Sequence, residues 1–345
     1  MKLHIKKKLS NICLLLVSTL VAILVGEFTI RQFNKSKTWT SWRESADILK
    51  TMINDAKVGY IRNPDTSYIG SLNAVCNINS MGFRDSNYNV RKGKNKKRIC
   101  FIGDSVTEGY GIEVPQRYSN LTAVKANSLA QNNSIEYESL NFGISRYATS
   151  NELAVLKNYV LPMAPDIVFL QICFNDIAPN KEYDLSLPIK GLPNLDDETE
   201  DYKNFFVKIF LQKHSALYLL LAEKYNYIRL KSGKSNSILD DVLRINADDM
   251  IKTNYFIEEI KKVCSGNKIR LIASYIPLEA EVIIKSEEMS FHINNMLENT
   301  CKLHNIEYLN TLKIFRQIKD DLYLDDCHLN TEGNKIVSEL ISEIL

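Results

Sequence analysis

Apolar and polar positions follow one another along the chain in a pattern that changes at about Lys97. Beyond this point, short continuous apolar runs are separated by stretches with helical spacing, which is typical of a parallel sheet covered by helices on both faces. Apolar stripes predict helices between the runs, including one that ends at Gly266 and one at the carboxyl end of the chain. Five runs are predicted to be strands: 98–103, 137–143, 166–173, 269–276 and 306–310. The pattern therefore predicts an α/β fold.

Two stretches depart from this alternation. Residues 34–96 are rich in Asn, Gly, Pro and Ser, which predicts an irregular extension of turns and short strands rather than an independent domain. Residues from about 180 to 248 contain an amphipathic stretch between polar segments, which predicts a helical insertion beside the strand ends. We therefore divide the chain into residues 1–33, the extension 34–96 and a main domain over 97–345.

The amino terminus has the layout of a membrane segment. Four lysines precede an apolar run from about Leu9 to Gly26, whose length is close to the lower limit for crossing a bilayer. A cleaved signal peptide has the same layout, but no A-x-A pattern follows the run, which favours an uncleaved anchor. The lysines predict a cytoplasmic amino end. We expect one N-terminal transmembrane helix, with the main domain periplasmic or at the cell surface.

Composition and charge narrow the class of partner. Of the 345 residues, 43 are basic and 41 acidic, and a net charge of only +2 gives no reason to expect nucleic-acid binding. The seven cysteines include no C-x-x-C pair, so a zinc or redox motif is not indicated.

Candidate chemistry appears where predicted strands end. Ser105 follows the first strand in GDSVTEG, Gly143 ends the second in NFGISRYAT, and Asn175 follows the third in QICFNDI. Asp325 and His328 precede the last helix in YLDDCHLN. Because the carboxyl ends of parallel strands meet at one edge of a sheet, we expect these residues to converge.

The residue types fit nucleophilic catalysis. A serine hydroxyl needs an adjacent base, so we expect His328 to accept the proton of Ser105 and Asp325 to orient the imidazole. Acyl transfer also needs donors for the developing oxyanion, and the amides of Ser105 and Gly143 and the side chain of Asn175 are the candidates.

Simpler roles exist for the same positions. Ser105 alone could cap a helix, Asn175 could serve a turn, and His328 could be an exposed residue before the last helix. Adjacent side chains at a turn diverge, so we assign Asp104 to local backbone bonding rather than to the imidazole. Asp176 is likewise expected to cap or pair locally.

The ordered set resembles the SGNH or GDSL-type serine hydrolases, whose four blocks supply Ser, Gly, Asn and His in this order. The matching positions are Ser105, Gly143, Asn175, and Asp325 with His328. Phe174 departs from the pattern, because many members have Gly before the Asn-Asp pair. The resemblance implies a flavodoxin-like three-layer α/β/α sandwich with a central five-stranded parallel sheet, and an active site that needs no metal or organic cofactor.

The segments GYIRNP and NINSMGFRD resemble the extension of a membrane-tethered bacterial branch of that family. This resemblance implies a serine esterase for O-acyl esters, O-acetyl esters in particular, of a cell-surface polysaccharide. Its expected partners are an acyl-ester substrate and the membrane, without nucleic acid. An O-acyltransferase, a lipase or thioesterase acting on membrane lipids, and a non-catalytic carbohydrate-binding protein are the alternatives.

Overall fold

The computed structural model of the protein describes residues 2–33, 51–130, 135–177, 250–283 and 292–345, with positions 215, 217, 218, 221, 225, 245 and 248. The chain divides into two compact units, Met1–Arg43 with Asn194–Lys234, and Glu44–Pro193 with Ser235–Leu345. The predicted helical insertion at 180–248 lies outside the described residues, apart from the isolated positions.

A five-stranded sheet forms the centre of the second unit. Its strands are β5 (Lys96–Ile102), β6 (Glu136–Asn141), β7 (Ile167–Ile172), β8 (Arg270–Tyr275) and β9 (Glu307–Leu309). They pair in parallel in the order β6-β5-β7-β8-β9. All five predicted strands are confirmed, which establishes the α/β class and the parallel sheet.

Helices of this unit cover both faces of the sheet. They are α2 (Ser105–Glu108), α3 (Tyr118–Leu129), α4 (Thr149–Val155), α5 (Met250–Gly266), α6 (Glu279–Ile283), α7 (His292–Leu303), α8 (Thr311–Phe315) and α9 (Thr331–Glu343). Successive residues of β5 enter opposite cores, with Phe101 packed in one core with residues of α3 and α9 and Ile102 in the other with residues of α4, α5 and α7. A strand buried on both faces is continuously apolar, and for this reason the apolar runs in the sequence predict the strands of the sheet.

The first unit contains helix α1 (Lys2–Phe33). The carboxylate of Glu27 accepts hydrogen bonds from the Ser215 hydroxyl at 2.9 Å and from the Leu217 amide at 3.0 Å. Within the part of the chain that the structure describes, no helix combines the length and the apolar character needed to cross a membrane.

The described part of the extension, residues 51–96, folds into two small antiparallel pairs. Strand β1 (Met52–Asp55) pairs with β2 (Gly59–Arg62), and β3 (Ser67–Ile69) pairs with β4 (Val75–Asn77). Val58 and Phe83 are fully buried in the same apolar cluster as one face of the central sheet. The described part of the extension, residues 51–96, therefore shares an apolar core with the sheet.

A buried ion pair joins the extension to the helix that begins at Ser105. Arg62 donates two hydrogen bonds to the carboxylate of Glu108, at 2.7 and 2.8 Å, and both side chains are almost completely buried. Glu108 also accepts hydrogen bonds from the amide and hydroxyl of Ser145. Although burial works to raise it, the charge and hydrogen bonds of Arg62 hold the pKa of Glu108 below its usual range.

Removing one partner of this pair is expected to destabilise the fold strongly. Arg62→Leu leaves the Glu108 carboxylate buried without its cation, which costs about 3–5 kcal/mol in systems of this kind. Arg62→Leu with Glu108→Gln removes the charge and keeps an acceptor for Ser145, so we expect this double variant to recover much of the loss. Urea unfolding of both variants measures the difference, and equal destabilisation of the two would contradict the buried-charge explanation.

Candidate active site

Ser105 is presented by a tight turn at the carboxyl end of β5. The strand ends at Ile102, and Ser105 is the first residue of helix α2. Asp104 caps this helix, because its Oδ1 accepts a hydrogen bond from the Val106 amide at 2.9 Å. A Cβ on Gly103 would lie 2.2 Å from Oγ1 of Thr107, so only glycine allows the strand and the helix to approach this closely.

Asp325 and His328 lie on a loop that precedes helix α9. Oδ1 of Asp325 accepts hydrogen bonds from the amides of Cys327 and His328, at 3.0 and 2.8 Å. The His328 carbonyl accepts from the Leu324 amide at 2.7 Å, which closes the loop. These local bonds fix the carboxylate beside the imidazole that follows it.

The structure brings Ser105, His328 and Asp325 together in a line. Nε2 of His328 is 2.8 Å from the Ser105 Oγ, and Nδ1 is 2.8 Å from Oδ2 of Asp325. The side chains of His328 and Asp325 keep only 14% and 12% of their surface exposed. In this geometry Asp325 fixes the tautomer with Nδ1–H, which leaves the Nε2 lone pair toward the serine hydroxyl.

Burial acts against opposite charge and hydrogen bonding in this pair. Although burial works to raise it, the charge and hydrogen bond of His328 lower the pKa of Asp325 to about 2. Burial works to lower the pKa of His328, but the charge and hydrogen bond of Asp325 raise it above its ordinary value. The imidazole is therefore a stronger base than a free histidine side chain.

Asn175 contacts the carboxylate of Asp104. It follows β7 in a short 3₁₀ turn, and its Nδ2 donates to Oδ2 of Asp104 at 2.8 Å. The Asp104 carboxylate thus bonds both to the local backbone and to the distant Asn175, and burial raises its pKa. Asp176 accepts from the Cys173 amide at 2.7 Å. Both carboxylates have the local roles expected for them, and Asp325 contacts the imidazole instead.

Gly143 was expected to offer its amide to the oxyanion. In this structure the amide donates to Oδ1 of Asn141 at 3.0 Å, and the oxyanion role stays a prediction. A Cβ here would lie 2.5 Å from the Glu108 amide nitrogen and 2.6 Å from Cβ of Thr107. Gly143 is required because the chain packs tightly against helix α2.

The sequence reasoning did not identify Tyr110 and the Arg62–Glu108 pair as residues near the site. The ring of Tyr110 stacks on the imidazole of His328, with centroids 4.0 Å apart. A signal for Tyr110 was its place between Gly109 and Gly111 directly after the serine motif. Arg62 and Glu108 lie 46 positions apart, and no sequence motif links them.

One group of described residues has the donor atoms for a metal ion. Ligand atoms of Asp325, Cys327 and His328 all lie within 4.8 Å of one another. Asp325 and His328 already pair with each other, so a metal ion would compete with their hydrogen bond.

A strand-end serine in line with a histidine and an aspartate defines the class of serine hydrolases. The sequence model of the GDSL-like Lipase/Acylhydrolase family matches residues 101–336, and the chain belongs to this family. It is therefore a serine hydrolase that acts on ester bonds.

Three solved structures illustrate what the chain is similar to. An acetyl xylan esterase, AlAXEase, is 16% identical, with a TM-score of 0.44 over 72% of this chain and 99% of that one. A lipase/acylhydrolase from Enterococcus faecalis is 14% identical, with a TM-score of 0.43 over 72% and 94%. The acetylxylan esterase Axe2 from Geobacillus stearothermophilus is 14% identical, with a TM-score of 0.42 over 71% and 91%. A search of curated proteins finds no match to this chain.

The raised pKa of His328 predicts the acid side of the pH profile. A base must be neutral to accept a proton, so kcat/KM is expected to fall as pH drops through a pKa above the ordinary histidine value of about 6.5. Asp325→Asn removes the charge that raises this pKa while burial remains, so the remaining activity should titrate at lower pH.

The pH dependence of kcat/KM for an activated ester, measured for both proteins, checks this expectation. An acid limb that stays at the same pH in Asp325→Asn would show that Asp325 does not set the basicity of His328.

Proposed function

We propose that Ser105, His328 and Asp325 are the nucleophile, the general base and the orienting carboxylate of an esterase. The observation that carries this proposal is the line of two 2.8 Å contacts, from Oγ to Nε2 and from Nδ1 to Oδ2. Family membership supports ester hydrolysis as the reaction.

The reaction follows from these contacts. His328 takes the proton of the Ser105 hydroxyl at Nε2 as Oγ attacks the ester carbonyl, and the imidazolium is stabilised by Asp325. The tetrahedral intermediate then breaks its bond to the alcohol, which leaves with the proton from Nε2. Water, deprotonated by the same nitrogen, attacks the acyl-serine and releases the acid and the free serine.

Two donors are available in this proposal for the oxyanion. The amide of Ser105 lies at the start of helix α2, and Asn175 has a second N–H besides the one that it donates to Asp104. Asp104 holds Asn175 beside the serine turn and in this way sets the direction of the amide group. The amide of Gly143, the third candidate donor, is bonded to Asn141 in this structure.

For the substrate we propose O-acetyl esters of a cell-surface polysaccharide. The support is the resemblance of GYIRNP and NINSMGFRD to the extension of a membrane-tethered branch whose members modify surface glycans. An O-acyltransferase would use the same acyl-serine, with a sugar hydroxyl in place of water.

Lipid esters are a second candidate, favoured by one observation. Ile69, Leu72 and Val75 are apolar residues exposed on the hairpin of β3 and β4, at 66%, 40% and 39%. Leu72 and Leu324 both approach Gly111, next to the Tyr110 that stacks on His328. An apolar surface beside the imidazole suits an acyl chain longer than acetyl.

The catalytic assignment and the acyl preference are tested together. The purified chain is expected to hydrolyse p-nitrophenyl acetate faster than the octanoate ester, and Ser105→Ala should lower the rate by roughly 10³-fold or more. Release of p-nitrophenol measures both.

Ser215→Ala, a serine of the first unit, serves as the matched control and should keep its rate. A wild-type rate of p-nitrophenol release in Ser105→Ala would contradict the catalytic assignment. A faster rate with the octanoate ester than with the acetate ester would favour lipid esters as the substrate.

We also propose that the amino terminus anchors the chain, with the main domain outside the cytoplasm. This proposal depends on the apolar run from about Leu9 to Gly26 and on exposed apolar residues of α1, including Leu14 at 70% and Leu15 at 65%. Helix α1 has 32 residues and is roughly 48 Å long, which meets the length of a bilayer core, although the helix as a whole lacks the apolar character of a spanning segment.

The full-length chain is therefore expected to remain with membranes after alkaline carbonate washing. A variant with Leu14→Asp and Leu15→Asp should be released or should fail to reach the membrane. Full recovery of the unaltered chain in the soluble fraction would refute the anchor.

A further inference from the structure

Tyr110 covers one face of the imidazole of His328. The two ring centroids are 4.0 Å apart and the ring planes are inclined by only 21°, so the rings are stacked. The edges of the same imidazole face Ser105 through Nε2 and Asp325 through Nδ1. Hydrogen bonds fix the ring at its edges, and the tyrosine limits its tilt.

The backbone on either side of Tyr110 is shaped to hold the ring in this place. Gly109 and Gly111 have φ angles of +83° and +72°, in the left-handed region that favours glycine. A Cβ on Gly111 would lie 2.9 Å from Cδ1 of Leu324. The Tyr110 amide donates to the Ser105 carbonyl at 3.0 Å, which connects the turn to the helix that carries the serine.

Arg84 of the extension holds this turn. It is almost fully buried, and its guanidinium donates to the carbonyls of Gly109 at 2.5 Å and Ile112 at 2.7 Å, on either side of Tyr110. A third bond goes to the carbonyl of Val75 at 2.9 Å. The residue lies outside the matched family region, residues 101–336.

We propose that Tyr110 is a positioning residue for His328 and that Arg84 holds Tyr110 in place. The inference rests on the proposed function, because it assigns Tyr110 a role through the base. A stacked ring keeps Nε2 directed at the serine oxygen, and misplacement of a catalytic group by 1 Å can cost about 10²-fold in rate. The electron-rich face of the ring also favours the imidazolium that forms in the reaction.

Several charged or titratable groups besides Tyr110 surround His328. The negative charges of Asp325, Asp104 and Glu108 each work to raise the pKa of His328. The Cys327 thiol lies 3.5 Å from Nδ1. A substitution at Tyr110 leaves these groups in place. A change in the titration of His328 in such a variant therefore reports the loss of the aromatic face.

The test compares Tyr110→Leu with Tyr110→Phe in the full chain. Tyr110→Leu is expected to lower kcat for p-nitrophenyl acetate by roughly 10- to 100-fold with little change in KM. It should also move the acid limb of kcat/KM to lower pH, because the imidazolium loses a favourable contact. Tyr110→Phe keeps the stack and should restore both values.

Tyr137→Leu is the matched control, since it removes a half-buried ring from β6 that packs against the core away from His328. It should keep the wild-type kcat and acid limb. Arg84→Lys supplies a second route, because lysine lacks the planar guanidinium whose two terminal nitrogens bind the carbonyls of Gly109 and Ile112, and it should change kcat in the same direction as Tyr110→Leu. This variant also decides the matter if Tyr110→Leu does not fold.

Wild-type kcat and an unchanged acid limb in a folded Tyr110→Leu would overturn the inference. Equal losses in Tyr110→Leu and Tyr110→Phe would also overturn it, because they would assign the effect to the hydroxyl. An Arg84→Lys protein with the wild-type kcat would refute the role of Arg84. An unaltered chain that hydrolyses no ester would instead overturn the proposed function, and this inference with it.

Discussion

The contact between Nε2 of His328 and Oγ of Ser105 joins residues 223 positions apart, and the parallel sheet makes it possible. Strand β5 delivers the serine at its carboxyl end, and the loop after α8 delivers the histidine to the same edge. Because neighbouring strands run in one direction, their carboxyl ends form one continuous edge where distant segments meet. Apolar cores on both faces of the sheet hold the strands in this arrangement.

A second constraint concerns the buried charges behind the serine. Arg62 and Arg84 reach from the extension to helix α2 and the turn that follows it, where they bind the Glu108 carboxylate and backbone carbonyls. Buried charges and carbonyl groups require partners, so the serine turn depends on residues that precede the family region. The extension is therefore part of the structure that supports the active site.

The fold and the line of three residues were predictable from the sequence, because both depend on patterns along the chain. The buried strands are continuous apolar runs, and Asp325 and His328 are close enough in sequence for a local turn to place them together. Asp104 was expected to bond to the local backbone and not to the imidazole, and its carboxylate caps the helix that begins at Ser105.

The rest depends on contacts that no local pattern records. Gly143 was expected to offer its amide to the oxyanion, but the side chain of Asn141, two residues earlier, accepts that amide. The stacking of Tyr110 on His328 depends on the curvature of the turn at Gly109 and Gly111.

The most direct test of the central claim is the site at which a fluorophosphonate reacts with the full chain. Peptide mapping by mass spectrometry should find one phosphonyl adduct, on Ser105, and His328→Ala should abolish it without unfolding the protein. An adduct on another residue, or undiminished labelling of Ser105 in His328→Ala, would contradict the account.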